Sequence, residues 1–590
     1  MKTETEAPAR PDETVRHWRG ELDRAGRAER DWMRRADKVV ERYRAEKRIS
    51  GQRQVNILWA NTEILKPAVY SQTPSPDVRR RYLDDDPVGR EAAVTLERAL
   101  AYLLDDDGFD RAMEAVRDDM LLPGRGVARI VYEPVIARRR LERAEGAGGE
   151  PVFLLDGRPV EPDGFDGEDA WAEEVADERV RCRHVFWKDY REQPARCWEE
   201  VGWIAFRHAL ARGALVERFG AVGRDIPLQG AVRSYDGRDR AGAAPEEARR
   251  AVLWEIWDKP GRKRIVIADG FDRVVEETPD PLGLAGFFPV PEPLYAVKTS
   301  DSRVPIPEFT LYQDQALELD ELATRKRHLI AALRARGVYA GVLGEVERLL
   351  TEAGENEMIP VKDWDQFRDK GGLAAAIEWL PIERIAQVIV SLNGHMAQLK
   401  AEIFEITGLS DIVRGSTRAS ETATAQRLKG SFGTMRMQPR QRPMQRFVRD
   451  ALRLKAEVIA EHFRPETLAR MTGRPVPPAV AALLRDERLR GFRIDIETES
   501  TVQPDAEAER RNAVEFLTAA TGFFTGIAPL IGAAPQSAPM FLEMFRTAAR
   551  SFKPGRRLEE VIGRTSDALI RQAEAAAAPP PAGPAEGGPR

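Results

Sequence analysis

The chain has 590 residues, 42% apolar, 32% charged and 7% aromatic, with a formal net charge of −5. That length fits about three to five domains, and the apolar share is enough for real cores, which excludes wholesale disorder. Only two cysteines occur, Cys182 and Cys197, which argues against a disulfide framework and fits a reducing compartment.

The opening MKTETEAPARPDETVRHWRGEL has no apolar h-region, so no secretory leader is expected. Asp12 to Arg48 reads as a charged helix whose sparse apolar face is Trp18, Leu22, Trp32, Val39, Val40 and Tyr43. Asn56 to Tyr70 reads as a second helix, closed by Pro67 and by the Pro74/Pro76 pair. Ala92–Leu104 and Phe109–Leu121 follow, separated by Asp105-Asp106-Asp107-Gly108. Val127–Tyr132 alternates and is β-branched, as a strand should be. Gly146–Gly167 is expected to be a long surface loop. Arg179–Trp187 and Val201–Arg207 read as strands. Ala251–Asp258 and Arg262–Asp269 flank Lys259-Pro260-Gly261, a hairpin with Pro and Gly at the centre of a type II turn. Thr278–Pro293 reads as loop.

Pro307–Arg336 is expected to be one long helix, acidic first and basic last as the helix dipole favours, about 45 Å long. Gly337–Leu380 looks like a small α/β insert. Ile382–Thr407 is helical again, with Ile385, Ile389, Leu392, Met396, Leu399, Ile403 and Ile406 spaced alternately four and three apart, a heptad seam. Tyr312, Ala316, Leu319, Ala323, Ile330 and Leu333 trace similar spacing in the earlier helix. The two helices therefore predict an antiparallel pair, either packed within a domain or protruding as a stalk with the insert at its tip. Gly408–Ser420 is polar and loop-like, and Glu421–Phe463 is helical with breaks at Gly430–Gly433 and Pro439/Pro443. A strand at Phe492–Thr498 and a helix from Asp505 come next. Residues 513–542 are the one membrane candidate, and Glu515, several glycines and three prolines keep them short of the about 18–20 apolar residues a span needs. Ala573–Arg590 has the composition of a disordered tail.

Catalytic signatures are missing. The chain has no G-x-x-x-x-G-K-[ST], no G-x-S-x-G and no H-E-x-x-H. Cys182 and His184 lack the second half of a zinc pattern. The runs Asp84–Asp86 and Asp105–Asp107 sit at helix boundaries, where capping explains them better than a two-metal site does. No catalytic residue, metal or cofactor is expected. Charge is the anomaly. Arg414 to Lys455 holds eleven Lys/Arg against Glu421 and Asp450, a local +9 in a chain of −5. Such a stretch attracts a polyanion through phosphate contacts, meets acids on a neighbouring subunit, or forms a plain solvated face. Its two aromatics, Phe432 and Phe447, are too few for base stacking.

Three segments carry a family resemblance: Asn56–Tyr70 with Ser71–Arg79, Leu122-Pro-Gly-Arg-Gly-Val-Ala-Arg-Ile-Val-Tyr-Glu133, and Ile406-Thr-Gly-Leu-Ser-Asp-Ile-Val-Arg-Gly415 leading into Glu421-Thr-Ala-Thr-Ala425. In these, and in the order of its parts from Asp12 to Phe552, the chain resembles the portal (head-to-tail connector) proteins of tailed bacteriophages and prophages, particularly podophage-type members. The resemblance implies an α+β, mainly helical portal fold assembled as a ring of typically about twelve subunits at one capsid vertex. It implies a wing over 1–304, stem helices over 305–336 and 382–407 and a clip over 337–381. It further implies a tunnel loop over 408–420, a basic wing helix and strand over 421–504, C-terminal helices or crown over 505–572, and a tail over 573–590.

The implied function is a conduit for packaging and ejecting double-stranded DNA, with no enzymatic role. Ser410, Arg414, Ser416, Thr417 and Arg418 would face the channel, and Arg427, Lys429, Arg436, Arg440, Arg442 and Arg446 would meet DNA or neighbouring subunits. The seam Ile385, Ile389, Leu392, Met396, Leu399, Ile403 and Ile406 would pack the stem. Implied partners are further copies of the chain, DNA read without regard to sequence, the large terminase, a tail adaptor or head-completion protein, and the major capsid and scaffolding proteins, with no membrane. The implied location is the virion, after assembly in the host cytoplasm. The alternatives are another structural head–tail or scaffold component and, at a distance, a terminase-like nuclease.

Overall fold

The structure is a computed structural model and describes residues 12–45, 51–80, 86–145, 151–166, 169–231, 249–333, 337–339, 365, 377–379, 382–409, 423–486, 492–495, 514–523, 525–526, 540–541 and 544–545. The chain is mixed α and β, with more helix than strand. Helix α1 (Glu13–Arg44) is capped by Asp12, whose carboxylate accepts from Thr14 N–H. Its turn periodicity aligns Val15, Trp18, Leu22 and Ala25, which bury against Trp203, Ala205, Ile256, Ile265 and Ile267. Helix α2 (Ile57–Val69) keeps Pro67 inside its last turn instead of stopping at it. Asp86 accepts from Val88 and Gly89 N–H to start α3 (Pro87–Asp106), and α4 (Phe109–Leu121) has its expected bounds.

Strand Arg125–Arg140 pairs antiparallel with Asp169–Val185, from Val127↔Val185 to Arg140↔Trp171, with a bulge at Val135/Ile136. Both strands outrun their expected lengths: past Tyr132 they continue as a partly buried ribbon, joined at its far end by Gly164–Asp166. The region expected to be loop, 146–167, supplies strands Pro151–Leu155, Arg158–Pro159 and Gly164–Asp166 instead. A small core of Leu141, Ala170 and Ala172 with Phe153, Leu155 and Val160 holds it, a grouping that local composition does not reveal. The two glycines of the Gly124-Arg-Gly126 turn have different reasons. Gly124 has φ +102 against the Ile306 carbonyl, and a Cβ on Gly126 would come within 2.2 Å of the Val116 oxygen.

The larger sheet runs in the order Glu276–Pro279, Lys263–Ala268, Arg249–Asp258, Trp203–Leu210, Tyr190–Glu192, with Gln229–Ala231 on the third strand. Glu276–Pro279 takes the start of the expected loop 278–293. The expected hairpin is present, Asp258↔Lys263 being its last pair. Its left-handed residue is Arg262 (φ 44), not Gly261, so the turn is not type II. Gly261 is needed for space, since a Cβ there would lie 2.4 Å from the Asp258 carboxylate. Helix α5 (Arg212–Asp225) arises where no helix was expected, bent at Gly220.

The expected long helix 307–336 begins as a 3-10 turn, Glu308–Leu311, and continues as α6 (Gln313–Ala332), so its regular part spans about 30 Å. Helix α7 (Ile382–Thr407) has its expected bounds and packs along α6. Between them, Gly337–Tyr339 pairs antiparallel with Ile377–Trp379, and most of the insert lies outside the described residues. Helix α8 (Ala423–His462) is a single 40-residue helix, unbroken at Gly430–Gly433 and at Pro439 and Pro443. Burial of Met437, Met444, Phe447 and Val448 offsets the two hydrogen bonds the prolines forgo. Helices α9 (Pro465–Thr472) and α10 (Pro478–Arg485) follow, and strand Phe492–Asp495 returns to pair with Asp77–Arg80. The main core joins α2, α3, α4, the 125–140/169–185 strands, the second half of α8, α9 and α10. Among the described residues no helix is long and apolar enough to cross a membrane. No group of three metal-ligating side chains occurs there either.

Candidate nucleic-acid interface

The basic stretch divides at Met437. From that residue on, α8 is part of the core, and its cations have partners within the chain. Arg440 donates to the Glu308 carboxylate and, at 3.0 Å, to the Thr407 carbonyl. Arg446 pairs with Glu292 at 3.0 Å. Arg449 and Arg453 share Asp450 at 3.3 and 3.4 Å. Arg442 is exposed and donates to Gln438 at 3.1 Å. Lys455 is 0% exposed and pairs with Asp107, 2% exposed. Three of these cations, Arg440, Arg446 and Lys455, thus meet carboxylates far away in sequence but in the same chain.

Arg427, Lys429 and Arg436 fall on the first part of α8, where the backbone is helical and the side chains lie outside the described residues. Ser410, Arg414, Ser416, Thr417 and Arg418 also lie outside them. The ends of that segment are nonetheless well placed. Helix α7 stops at Thr407, Gly408 turns the chain at φ +74, and Leu409 is fully buried in the main core. Arg440 grips the Thr407 carbonyl, so the chain leaves the body beside Arg440 and α8 returns to that point. Ala423 is seventeen residues before Arg440, about 25 Å along the helix. In sequence, 410–436 carries five Lys/Arg against Asp411 and Glu421.

The seam residues separate by depth. Leu392, Leu399 and Ile403 are buried, Ile385, Ile389 and Met396 half-buried, and Ile406 exposed. Ile403 meets Ala316, Phe309 and Tyr312 beside Val39 and Leu58, which roots the helical pair in the body. Farther out, Leu317, Ile330, Val388 and Val390 are exposed.

Three buried polar clusters were not read from the sequence. Arg125 pairs with Glu29 and lies over the Trp32 and Tyr190 rings. Arg303 bonds Glu192 at 2.9 Å, Glu292 at 3.2 Å and the Tyr295 hydroxyl at 2.7 Å. Arg129 and His208 converge on Glu255. Arg129 inside the apolar Val127–Tyr132 strand and Glu255 inside Leu253–Trp257 were the available signals, since a charge on a buried strand requires a partner. Asp107 corrects its expected role: it follows α3, accepts from Cys182 N–H at 3.1 Å and from Lys455, and caps no helix start. The Cys182 thiol beside it is pushed up to about 12 by burial. No family model matches the chain, and no curated protein matches it.

Proposed function

We propose that the chain is the subunit of a phage-type portal, a ring through which double-stranded DNA passes during packaging and ejection. One observation carries the reading: a rooted helical pair, with a strand pair between its helices, is followed by helix α8, whose Arg440 closes on the last residue of the pair. The family resemblance supplies the rest. A conduit must hold DNA without trapping it, which calls for many weak phosphate contacts indifferent to sequence. The five Lys/Arg of 410–436 are the cations this reading assigns to the DNA, because those in the core are already occupied by Glu292, Glu308, Asp450 and Asp107. The outer arm exposes apolar side chains on both α6 and α7, as a head-to-tail contact between copies would require. In this reading the insert 337–381 docks the terminase and later the tail adaptor, and the chain itself performs no catalysis.

Negative-stain images of the purified protein viewed end-on test the proposal. The expected result is a closed ring with a central opening wide enough for a duplex. A chain that stays monomeric at high concentration, or a particle without an aperture, overturns it.

A further inference from the structure

The outward side of α1 is a row of cations. From Arg24 to Lys38 the exposed charged residues are Arg24, Arg27, Arg30, Arg34, Arg35 and Lys38 against a single acid, Asp31. The other two acids of the stretch are spent inward. Glu29 is buried against Arg125 and Arg191, and Asp37 pairs with Lys188. Folding thus sorts a mixed-charge helix into acid within and base without. Asp31 itself is taken by Arg34. That hydrogen bond, with the charges of Arg34, Arg35 and Arg30, holds its carboxyl below the ordinary aspartate range. Arg24 pairs with Glu21 at 2.7 Å. Among the described residues, Arg27, Arg30, Arg35 and Lys38 form no ion pair.

The chemistry of the face selects its ligand. Ala28 is its only exposed apolar side chain, whereas the centre of a protein interface is apolar and depleted in charge. A helix that lies on a membrane inserts an apolar face, and that of α1 is already spent on the sheet and on Trp187. What remains is a straight run of mostly guanidinium groups about 21 Å long. A DNA duplex presents about twelve phosphates over that length, and each guanidinium fork can pair with one of them. We propose that this face of α1 binds the phosphate backbone of a DNA duplex without regard to sequence. The proposal goes beyond the conduit reading, because this contact requires no DNA to be threaded through an opening.

The test uses that difference. A covalently closed circular duplex cannot thread a closed ring but can lie on an outer face. Filter binding of circular and linear DNA to the full-length protein is followed over a salt series. Three proteins are compared: wild type, a face variant (Arg27→Gln/Arg30→Gln/Arg35→Gln/Lys38→Gln) and a charge-matched control (Arg111→Gln/Arg158→Gln/Arg224→Gln/Arg474→Gln), whose four exposed arginines lie on other elements. Glutamine is close to arginine and lysine in helix propensity, so α1 is preserved. Wild type is expected to hold the circle. The face variant should bind it more than about tenfold more weakly at about 0.1 M salt, with a slope of log K against log salt shallower by about 3–4. The control should match wild type. A face variant that binds the circle like wild type, or a control that loses as much, overturns the proposal. A wild type that holds linear DNA alone overturns it and leaves the conduit standing. A wild type that holds neither overturns it as well. A face variant that folds but no longer assembles assigns the face to the contact between copies and overturns it. A monomeric wild type that holds the circle through this face supports the proposal while the conduit reading falls.

Discussion

Glu255 lies on the central strand Arg249–Asp258 with its side chain 3% exposed, and its carboxylate is fully engaged. Arg129 donates to both oxygens at 2.9 and 3.1 Å, His208 lies 3.0 Å away, and Trp257 donates its ring N–H at 2.9 Å. Burial is the largest single influence and pushes the carboxyl up. The charges and hydrogen bonds of Arg129 and His208 together outweigh it and hold the group well below the usual glutamate range. A lowered value means that folding favours the ionised form. Its contribution is complete above the ordinary glutamate value of about 4.3 and is lost as pH falls through the lower folded value. Glu255→Gln should therefore cost about 3–5 kcal/mol near neutral pH, with the gap to wild type narrowing in acid. Urea unfolding across that pH series checks it, and a gap that does not change with pH would show that the carboxylate charge is not what stabilises this strand.

At the scale of elements, α8 shows why a charged helix can also be a core helix. Its buried stripe, Met444, Phe447, Val448, Ala451, Leu452 and Ile459, recurs at helical spacing, while its cations reach back to fixed acids. Lys455 is the extreme case, wholly buried over the Phe109 ring. Removing one member of such a pair leaves an uncompensated charge, whereas replacing both by apolar groups restores packing. Lys455→Met is expected to cost about 3–5 kcal/mol, and the double variant Lys455→Met/Asp107→Leu to recover most of it. Thermal unfolding of the single and double variants decides this. A double variant no better than the single would mean that the Asp107 bond to Cys182 N–H, not the charge pair, secures α3 to the sheet.

For the whole molecule, the decisive surface is the outer arm. Val390 is 70% exposed and Val388 40%, on a helix that packs along α6. In the ring proposed above, these side chains are available for the contact between copies. On that proposal, changing both valines to Glu should abolish assembly and leave the folded subunit within about 0.5 kcal/mol of wild type, because neither side chain is in a core. Mass photometry paired with thermal unfolding reads both quantities, and a variant that assembles like wild type removes the arm as the subunit contact.

Local chemistry determined a good deal from the sequence alone. Helices α4 and α7 were legible to their last residues because apolar spacing is a property of neighbours three and four apart. The hairpin at 258–263 was legible because two β-rich runs flank Pro-Gly. Only tertiary structure decided where the charges go. Glu292, Glu308 and Asp107 stand more than a hundred residues from Arg446, Arg440 and Lys455, and no spacing rule links these pairs. The small sheet at 142–159 was hidden for the same reason: its core joins residues brought together by the ribbon, not by periodicity. Short-range pattern specifies elements, while burial of charge is settled by what the folded chain brings within a few ångströms.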